Sequence, residues 1–347
     1  MYARTVLARR AFIVSLSVLA CAIGWLAKDA FAARHRAVAL SSGLSRLSTA
    51  VVPRPKPPAP APPKRVTVGL TGDVAVALGV AVIVKRGHDS GFPFADVAER
   101  LRKYDLLVGN LECVVATRGV AVIPEPLVSP IETPRLLVDA GFDLVSIANN
   151  HTLDMSDKGY FEMLGRLDAA GLSHFGSTVA DYARDPIVVR EIGGVRMAFI
   201  GHMDREEKRA IADVIRARQR ADVVIVFEHW GIEYSQVPAL YQRLRGRKLI
   251  DAGADAVIGA HAHVVQPMEI YRDRRIAYGL GNFVFSGMVR PGSHTGALLE
   301  LDLDKHGIVA HRFRRVNIDE RGAPHLSGEP TDGPPFDPPG PRPLAPL

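Results

Sequence analysis

Cysteine and aromatic residues are both scarce in this chain. Its 347 residues include only 2 Cys, and Phe, Trp and Tyr together make up 7%. Because the chain is long and 47% hydrophobic, its composition excludes a disulfide-stabilised mini-protein, a coiled coil and a fully disordered protein. Cys113 is the single cysteine between residues 66 and 328, so we expect no intramolecular disulfide there.

Acidic residues are nearly missing from the first 65 residues, which contain 11 Lys and Arg but only Asp29 as an acid. The rest of the chain contains 32 basic and 36 acidic residues, so the two parts carry net charges of +10 and −4. Broad nucleic-acid binding requires clustered Lys and Arg on the folded domain. We therefore expect no nucleic-acid partner.

One uncharged, apolar segment, residues 11–27, follows three arginines near the N-terminus. This order is typical of an export signal, but an uncut segment of this length also suits a single membrane anchor. Arg9 and Arg10 resemble a twin-arginine signal, and residues 30–32 offer a cleavage site. Residues 1–33 are therefore predicted to be an export signal or a membrane anchor, with the remaining chain outside the cytoplasm.

Proline is concentrated in two further segments. Residues 53–63 alternate Pro with Ala, Lys and Arg, a composition that favours an extended conformation and cannot bury a core. We predict a basic Pro-rich linker over residues 34–65 and one folded domain over residues 66–328. Residues 329–347 are predicted to be a disordered Pro-rich tail.

Within residues 66–328, short runs rich in Val and Ile alternate with amphipathic stretches of helical length. This pattern favours βαβ units around a largely buried sheet, and hence the α/β class. Strands are predicted at residues 66–70, 106–108, 144–147, 197–200, 223–227 and 256–258, with later strands at 276–285 and 297–303. One helix is predicted with Thr133 as its N-cap, Pro134 at its first position and Gly141 after its last turn.

Five of the predicted strands end within a few residues of side chains that can bind metal. These side chains are Asp73, Glu112, Asn150 with the neighbouring His151, His229, and the pair His261 and His263. Ligands of open α/β sheets bind beyond the carboxyl ends of the strands, so we expect the five ends to converge. Taken singly, each also has a structural explanation, such as a turn cap or a hydrogen-bonded histidine.

His261 and His263 lie two positions apart, and in an extended segment such residues point to the same side. We therefore predict that they bind one metal or two adjacent metals. Asp73 and Glu112 supply carboxylate oxygens, and Asn150 supplies a carbonyl oxygen. A nitrogen and oxygen set without thiolate suits one or two divalent ions, namely Mn, Fe, Zn or Mg.

The residue that follows Asn150 has a different predicted role. If Asn150 binds metal, His151 lies at the rim of the site, where it can donate a proton to a leaving oxygen. Asp154 is close enough in sequence to orient His151. His151 and Asp154 are therefore the predicted catalytic residues.

Six segments of the chain, in order, resemble a known family. They are TGDVAV, GNLECVV, GFDLVSIANNHTLDMSDKG, FEHWGIEYSQVP, LIDAGADAVIGAHAHVVQPMEIY and IAYGLGNFVF. This set resembles the CapA-like proteins of poly-gamma-glutamate capsule biosynthesis, which are similar to calcineurin-like metallophosphoesterases. The resemblance implies a four-layer α/β/β/α metallophosphoesterase-like sandwich, with two packed mixed sheets and metals at the strand ends.

The resemblance also implies two metals that share the carboxylate of Glu112. The first metal takes Asp73 and His263 as its further ligands. The second takes Asn150, His229 and His261. The resemblance further implies that His151 is the acid that faces the substrate.

Two departures from the related patterns concern the metals. The wider superfamily opens with D-x-H, whereas no histidine lies two residues after Asp73, so the first metal lacks a ligand. Ala262 occupies a position where the family often has Pro, which should loosen the loop. Glu233 and Asn282 lie in family motifs and are predicted to support the ligands without binding metal.

Three functions stay open. The first is an extracytoplasmic protein for synthesis or export of an anionic capsular polymer, poly-gamma-glutamate, with a metal-dependent hydrolase-like site and a membrane capsule synthase or export complex as its partner. The second is an exported metal-dependent phosphoesterase that acts on cell-envelope phosphoesters. The third is a non-catalytic, membrane-tethered scaffold of a capsule export complex. The expected substrate is accordingly an anionic polymer or a phosphoester.

Overall fold

The computed structural model describes residues 65–87, 91–178 and 184–335. The predicted signal or anchor, the linker up to residue 64 and the tail from residue 336 lie outside the described residues. Within the described ranges, no helix is both long and apolar enough to cross a membrane.

The described residues form fourteen strands and six helices. The strands are β1 (Val66–Val74), β2 (Leu106–Leu111), β3 (Leu144–Ser146), β4 (Ser173–Phe175), β5 (Ile187–Ile192), β6 (Val195–Met203), β7 (Val223–His229), β8 (Ala256–Ala260), β9 (Met268–Tyr271), β10 (Arg274–Ala277), β11 (Asn282–Val284), β12 (Thr295–Asp304), β13 (Gly307–Ile318) and β14 (Pro324–Thr331). The helices are α1 (Leu78–Arg86), α2 (Ala98–Leu101), α3 (Thr133–Ala140), α4 (Ser156–Ala170), α5 (Glu207–Arg218) and α6 (Leu240–Asp251).

The strands build two mixed sheets. The first has eight strands in the order β14-β13-β12-β1-β2-β3-β4, with β11 paired to β1. Strands β1 to β4 are parallel, whereas β12, β13 and β14 are antiparallel. The second sheet has six strands in the order β5-β6-β7-β8-β10-β9, and β6, β7, β8 and β10 are parallel. The parallel strands bring the chemically important strand ends to one edge.

Side chains alternate along the central strands and so cover both faces of each sheet. In β2, Leu106 and Val108 lie in the core between the sheets, while Leu107 packs in the core beneath α1 to α4. In β7, Ile225 lies in the core between the sheets, and Val226 packs in the core beneath α5 and α6. Three cores thus separate four layers, which confirms the expected α/β/β/α sandwich with two packed mixed sheets.

Most predicted strands are present, with differences at their ends. The segment 276–285 is not one strand, because β10 ends at Ala277 and β11 begins at Asn282. Strand β10 is parallel to β8 and antiparallel to β9, and β11 is parallel to β1, whereas β12 is antiparallel to β1. Strand β14 continues past the predicted domain end at residue 328, because it pairs with β13 as far as Thr331.

The predicted N-cap of α3 is wrong by one residue. Glu132 is the N-cap, and Thr133 is the first helical residue, with a buried hydroxyl that has no hydrogen-bond partner in the described ranges. The Thr133 backbone N–H already donates to the Pro130 carbonyl, so the chain turns before the predicted start. Gly141 ends the helix at φ 108° as predicted, since this left-handed conformation favours glycine.

Candidate metal centre

The five predicted strand ends converge at one edge of the two sheets. Asp73 of β1 is in register with Asn110 of β2 and with Asn282 of β11. The second sheet reaches the same place, because Nδ1 of His229 at the end of β7 lies 3.4 Å from Nδ2 of Asn110. The site therefore combines residues from both sheets.

Asp73 is buried and fixed by neighbours on two sides. Its Oδ1 accepts a hydrogen bond from Nδ2 of Asn110 at 2.8 Å, and its Oδ2 accepts one from the His261 backbone N–H at 3.1 Å. Gly72 is required just before it, since a Cβ there would lie 1.8 Å from the Gly281 carbonyl oxygen. This close approach of backbones sets the position of the carboxylate.

Glu112 follows β2 and is fully buried. Neither of its carboxylate oxygens has a hydrogen-bond partner among the described residues. Burial raises the pKa of Glu112 well above its ordinary value, and the negative charge of Asp73 raises it further. Because an ionised carboxylate is costly to bury alone, this position suits a bound cation.

Two of the imidazoles near Glu112, those of His229 and His261, are poor bases. Burial lowers the pKa of His229 well below its usual value, and the neighbouring His261 and His263 lower it further. Burial likewise lowers the pKa of His261. At neutral pH both rings are uncharged, which is the form that binds metal. Nδ1 of His261 is buried and has no hydrogen-bond partner among the described residues.

Among the described residues, potential ligand atoms form three groups, and within each group all atoms lie within 4.8 Å of one another. One group is Asp73, Glu112 and His263; the second is Glu112, His229 and His261; the third is Glu233, His261 and His263. Glu112 thus belongs to two groups. The buried, unpaired carboxylate and the neutral imidazoles fit a divalent metal ion, and the mixed nitrogen and oxygen donors fit Mn, Fe, Zn or Mg.

The predicted extended conformation of the segment with His261 and His263 is wrong. His261 and His263 have φ values of 86° and 56°, so the segment after β8 is a left-handed loop and not an extended strand. The Tyr234 backbone N–H donates to the Ala262 carbonyl at 2.8 Å and holds this loop. Both imidazoles still reach the site, with ring centroids 6.1 Å apart. Positive φ is costly for such residues and is concentrated at functional sites.

Asn150 and Asn282 contact histidines of the centre. Oδ1 of Asn150 lies 2.6 Å from Nε2 of His229. Oδ1 of Asn282 lies 2.9 Å from Nδ1 of His263, and its Nδ2 donates to the carbonyls of His263 and Ser293. Through these contacts, Asn282 orients the His263 ring.

Two residues have a larger part in the site than the sequence indicated. Asn110 connects the sheets through Asp73 and His229, and its place two residues before Glu112 was the available signal. Glu233 was expected only to support the ligands. Its carboxylate lies within 4.8 Å of potential ligand atoms of His261 and His263, so Glu233 is also a candidate ligand.

His151 and Asp154 form a hydrogen-bonded pair at the rim. Nδ1 of His151 lies 2.8 Å from Oδ2 of Asp154, which also accepts the Leu127 backbone N–H at 2.7 Å. The Asp154 side chain is 1% exposed and the His151 side chain 18% exposed. A buried carboxylate thus orients a ring that solvent can reach.

The fold and the site define an α/β/β/α protein with carboxylates and imidazoles at its strand ends. The family model described as "Bacterial capsule synthesis protein PGA_cap" matches residues 67–287. The chain belongs to this capsule synthesis family, which confirms the CapA-like resemblance.

Two relatives from Bacillus agree with this assignment. The chain is 30% identical to "Capsule biosynthesis protein CapA" of Bacillus anthracis, over 75% of this chain and 69% of the relative. It is 29% identical to "PGA biosynthesis protein CapA" of Bacillus subtilis (strain 168), over 73% of this chain and 72% of the relative. A solved putative 5'-nucleotidase from Staphylococcus aureus has 14% identity and a TM-score of 0.43, covering 78% of this chain and 54% of that one.

Proposed function

We propose that this chain acts outside the cytoplasm in synthesis or export of an anionic capsular polymer, poly-gamma-glutamate, and has a metal-dependent hydrolase-like site. The observation that carries the metal site is Glu112, a fully buried carboxylate that has no donor among the described residues and lies beside the neutral imidazoles of His229 and His261. Family membership supports the capsular role. The names of the Bacillus relatives support this polymer, since one of them is called a PGA biosynthesis protein.

The grouping of ligand atoms supports one or two divalent ions with Glu112 between them. Asp73 and His263 are the proposed further ligands of the first ion. The proposed further ligands of the second are Asn150, His229 and His261. Glu233 is close enough to two of the histidines to add a ligand where the D-x-H histidine is missing. A bound divalent ion would polarise the substrate and lower the pKa of water.

We assign the proton transfer to His151. Asp154 holds Nδ1 of this ring, so the other ring nitrogen is the one that can serve the substrate. Donation of a proton to the leaving oxygen matches the position of the ring at the rim. Asp154 keeps the ring in this orientation and acts through it.

The metal content of the full chain tests this proposal. The protein is purified without added metal or chelator, and its elements are quantified beside His261→Ala. His306→Ala is the matched control, since His306 is exposed on the turn between β12 and β13. We expect two equivalents of metal, strongly reduced in His261→Ala alone. One equivalent would mean that the first position is empty, and none would contradict the metal site and favour the scaffold.

The proposed location depends on the basic and apolar residues 1–33. A cleaved signal or a retained anchor would each bring the folded domain to the outer side of the cytoplasmic membrane, beside a capsule synthase or export complex. Protease should then degrade the domain when it is added to cells whose outer membrane or wall has been removed and whose cytoplasmic membrane is intact. Protection of the domain until the cells are lysed would contradict the proposal.

A second candidate is an exported phosphoesterase that acts on cell-envelope phosphoesters. The specific support is the His151 and Asp154 pair beside mixed nitrogen and oxygen ligands, because this arrangement serves any leaving oxygen. Turnover of a chromogenic phosphodiester in the presence of Mn would favour it. Cleavage of poly-gamma-glutamate without phosphodiester turnover would favour the first candidate.

A further inference from the structure

A cavity of about 360 Å³ lies on one flank of the candidate metal centre. Three segments build its wall, namely the residues after β3, the residues after β4, and the end of β6 with the residues that follow it. They contribute Asn150, Leu153, Ser177, Met203, Arg205 and Glu206. The volume falls within the range of about 300–1,000 Å³ that is typical of small-molecule pockets, so it can hold more than a single small ion.

The cavity and the metal centre share Asn150. Its side chain lines the cavity, and its Oδ1 lies 2.6 Å from Nε2 of His229. A molecule bound in the cavity is therefore adjacent to the proposed ligands. This position fits the part of a substrate next to the reacting bond.

Arg205 is the positively charged residue in the wall of this cavity. It is exposed, and no hydrogen bond or ion pair of Arg205 is found in the described part of the chain. The acidic residue in the wall, Glu206, does have a partner, because its Oε2 lies 3.1 Å from Nδ1 of the buried His202. A guanidinium without a protein partner is well suited to carboxylate or phosphate, which it can bind through two parallel hydrogen bonds.

The rest of the lining is mixed. Leu153 and Met203 provide apolar surface, and Ser177 provides a hydroxyl that accepts a hydrogen bond from Arg209 at 2.8 Å. Apolar walls with a few placed polar groups are typical of sites for organic ligands. The lining thus suits an organic unit that carries an anionic group better than a bare anion.

Building on the proposed function, we infer that this cavity binds the substrate unit next to the reacting bond, and that Arg205 pairs with an anionic group of that unit. The group is a carboxylate if the substrate is a polymer of γ-linked glutamate, because each unit has a free α-carboxylate. It is a phosphate if the substrate is a phosphoester. In both cases Arg205 determines specificity and takes no part in bond breaking.

Equilibrium binding to the purified full chain tests this inference. The probes are a fluorescent tri-γ-glutamate peptide and, as its competitor, phenyl phosphate. The variants are Arg205→Gln, Arg205→Lys and the control Lys208→Gln. Lys208 is an exposed cation in the adjacent helix α5, so its change removes the same charge without touching the cavity wall.

We expect Arg205→Gln to weaken binding of one probe about tenfold or more, Arg205→Lys to restore part of it, and Lys208→Gln to leave it unchanged. The affected probe identifies carboxylate or phosphate as the group that Arg205 binds. Equal affinity of wild type and Arg205→Gln for both probes, or no binding of either probe, would overturn the inference.

Metal content, measured on the same samples, separates this result from failure of the proposed function. If metal is present and Arg205→Gln does not change probe binding, the result contradicts only the inference about the cavity. Weakened binding in a protein without metal supports the cavity and contradicts the metal site.

Discussion

Two buried glutamates of this protein have opposite surroundings. Glu300 in β12 is 2% exposed, and its carboxylate accepts hydrogen bonds from Tyr104, Arg100, Arg312 and Arg314. Glu112 is 0% exposed and has no donor among the described residues. The pKa of Glu300 is lowered to about 2, whereas the pKa of Glu112 is raised. Low solvent exposure of both side chains thus accompanies opposite pKa shifts.

The difference lies in where the balancing positive charge comes from. The charge of Glu300 is balanced by arginines of the same chain, so this residue contributes to the fold. Around Glu112 lie other acids and the neutral imidazoles of His229 and His261, which do not balance its charge. Such a carboxylate is stable only when it is protonated or when a cation from outside binds. We therefore interpret Glu112 as a binding residue and Glu300 as a structural one.

The strongest test of this comparison is Glu112→Gln. We expect the variant to lose nearly all bound metal, because it removes the carboxylate shared by two groups of ligand atoms. In chelator its melting temperature should equal or exceed that of the wild type, since an unpaired buried charge is gone. Elemental analysis and thermal unfolding measure the two effects. A large loss of stability in chelator would show that Glu112 is structural.

The buried carboxylate of Asp154 has the His151 imidazole as its partner, so substitutions in this pair provide a second test. We expect His151→Ala to lower turnover of a substrate by about 10²–10⁴-fold while metal content stays the same. Asp154→Asn should have a smaller effect in the same direction, since the ring stays but loses its orienting charge. Steady-state kinetics with elemental analysis measures both. Loss of metal in His151→Ala would place this histidine among the ligands.

Glu300→Gln tests the structural side of the comparison. Burial alone would raise the pKa of Glu300, but hydrogen bonds from Tyr104, Arg314 and Arg100 lower it from 4.5 to about 2. With allowance for solvent screening of the arginines, we expect the variant to lower the free energy of unfolding by about 2 kcal/mol at pH 7.

The sign of this effect with pH follows from the lowered pKa. A carboxylate with a depressed folded-state pKa stabilises the fold above its unfolded value of 4.5, and this contribution is lost as the pH falls towards about 2. Wild type and Glu300→Gln should therefore converge in stability below pH 4.5. Urea unfolding at several pH values measures the difference. A constant difference across this range would contradict the linkage.

The smallest expected effect is that of Glu233→Gln. Glu233 is exposed and near His261 and His263, so it should strengthen metal binding without being essential. We expect metal affinity to fall about tenfold, with unchanged stability in chelator. The control is Glu320→Gln, which changes an exposed acid far along the chain. Metal titration of the chelated proteins measures the affinities, and equal affinities would exclude Glu233 as a ligand.

Much of the fold could be predicted from local patterns. Runs of Val and Ile marked the strands because both faces of each sheet are covered, and Gly141 marked the end of α3. The loop of His261 and His263 could not be predicted in this way. Its left-handed conformation depends on contacts with the segment after β7, which no local pattern reveals.

The sequence by itself determined the α/β class, the positions of most strands and the residue types at the five strand ends. These follow from side-chain periodicity and composition, which are local properties of a chain. Only the tertiary structure decided which of these residues meet and which charges are left unpaired. The contact of Asp73 with His261 spans 188 positions, and that of Asn110 with His229 spans 119. Burial and partners arise from such distant segments, and they determine whether a buried carboxylate stabilises the fold or suits a metal.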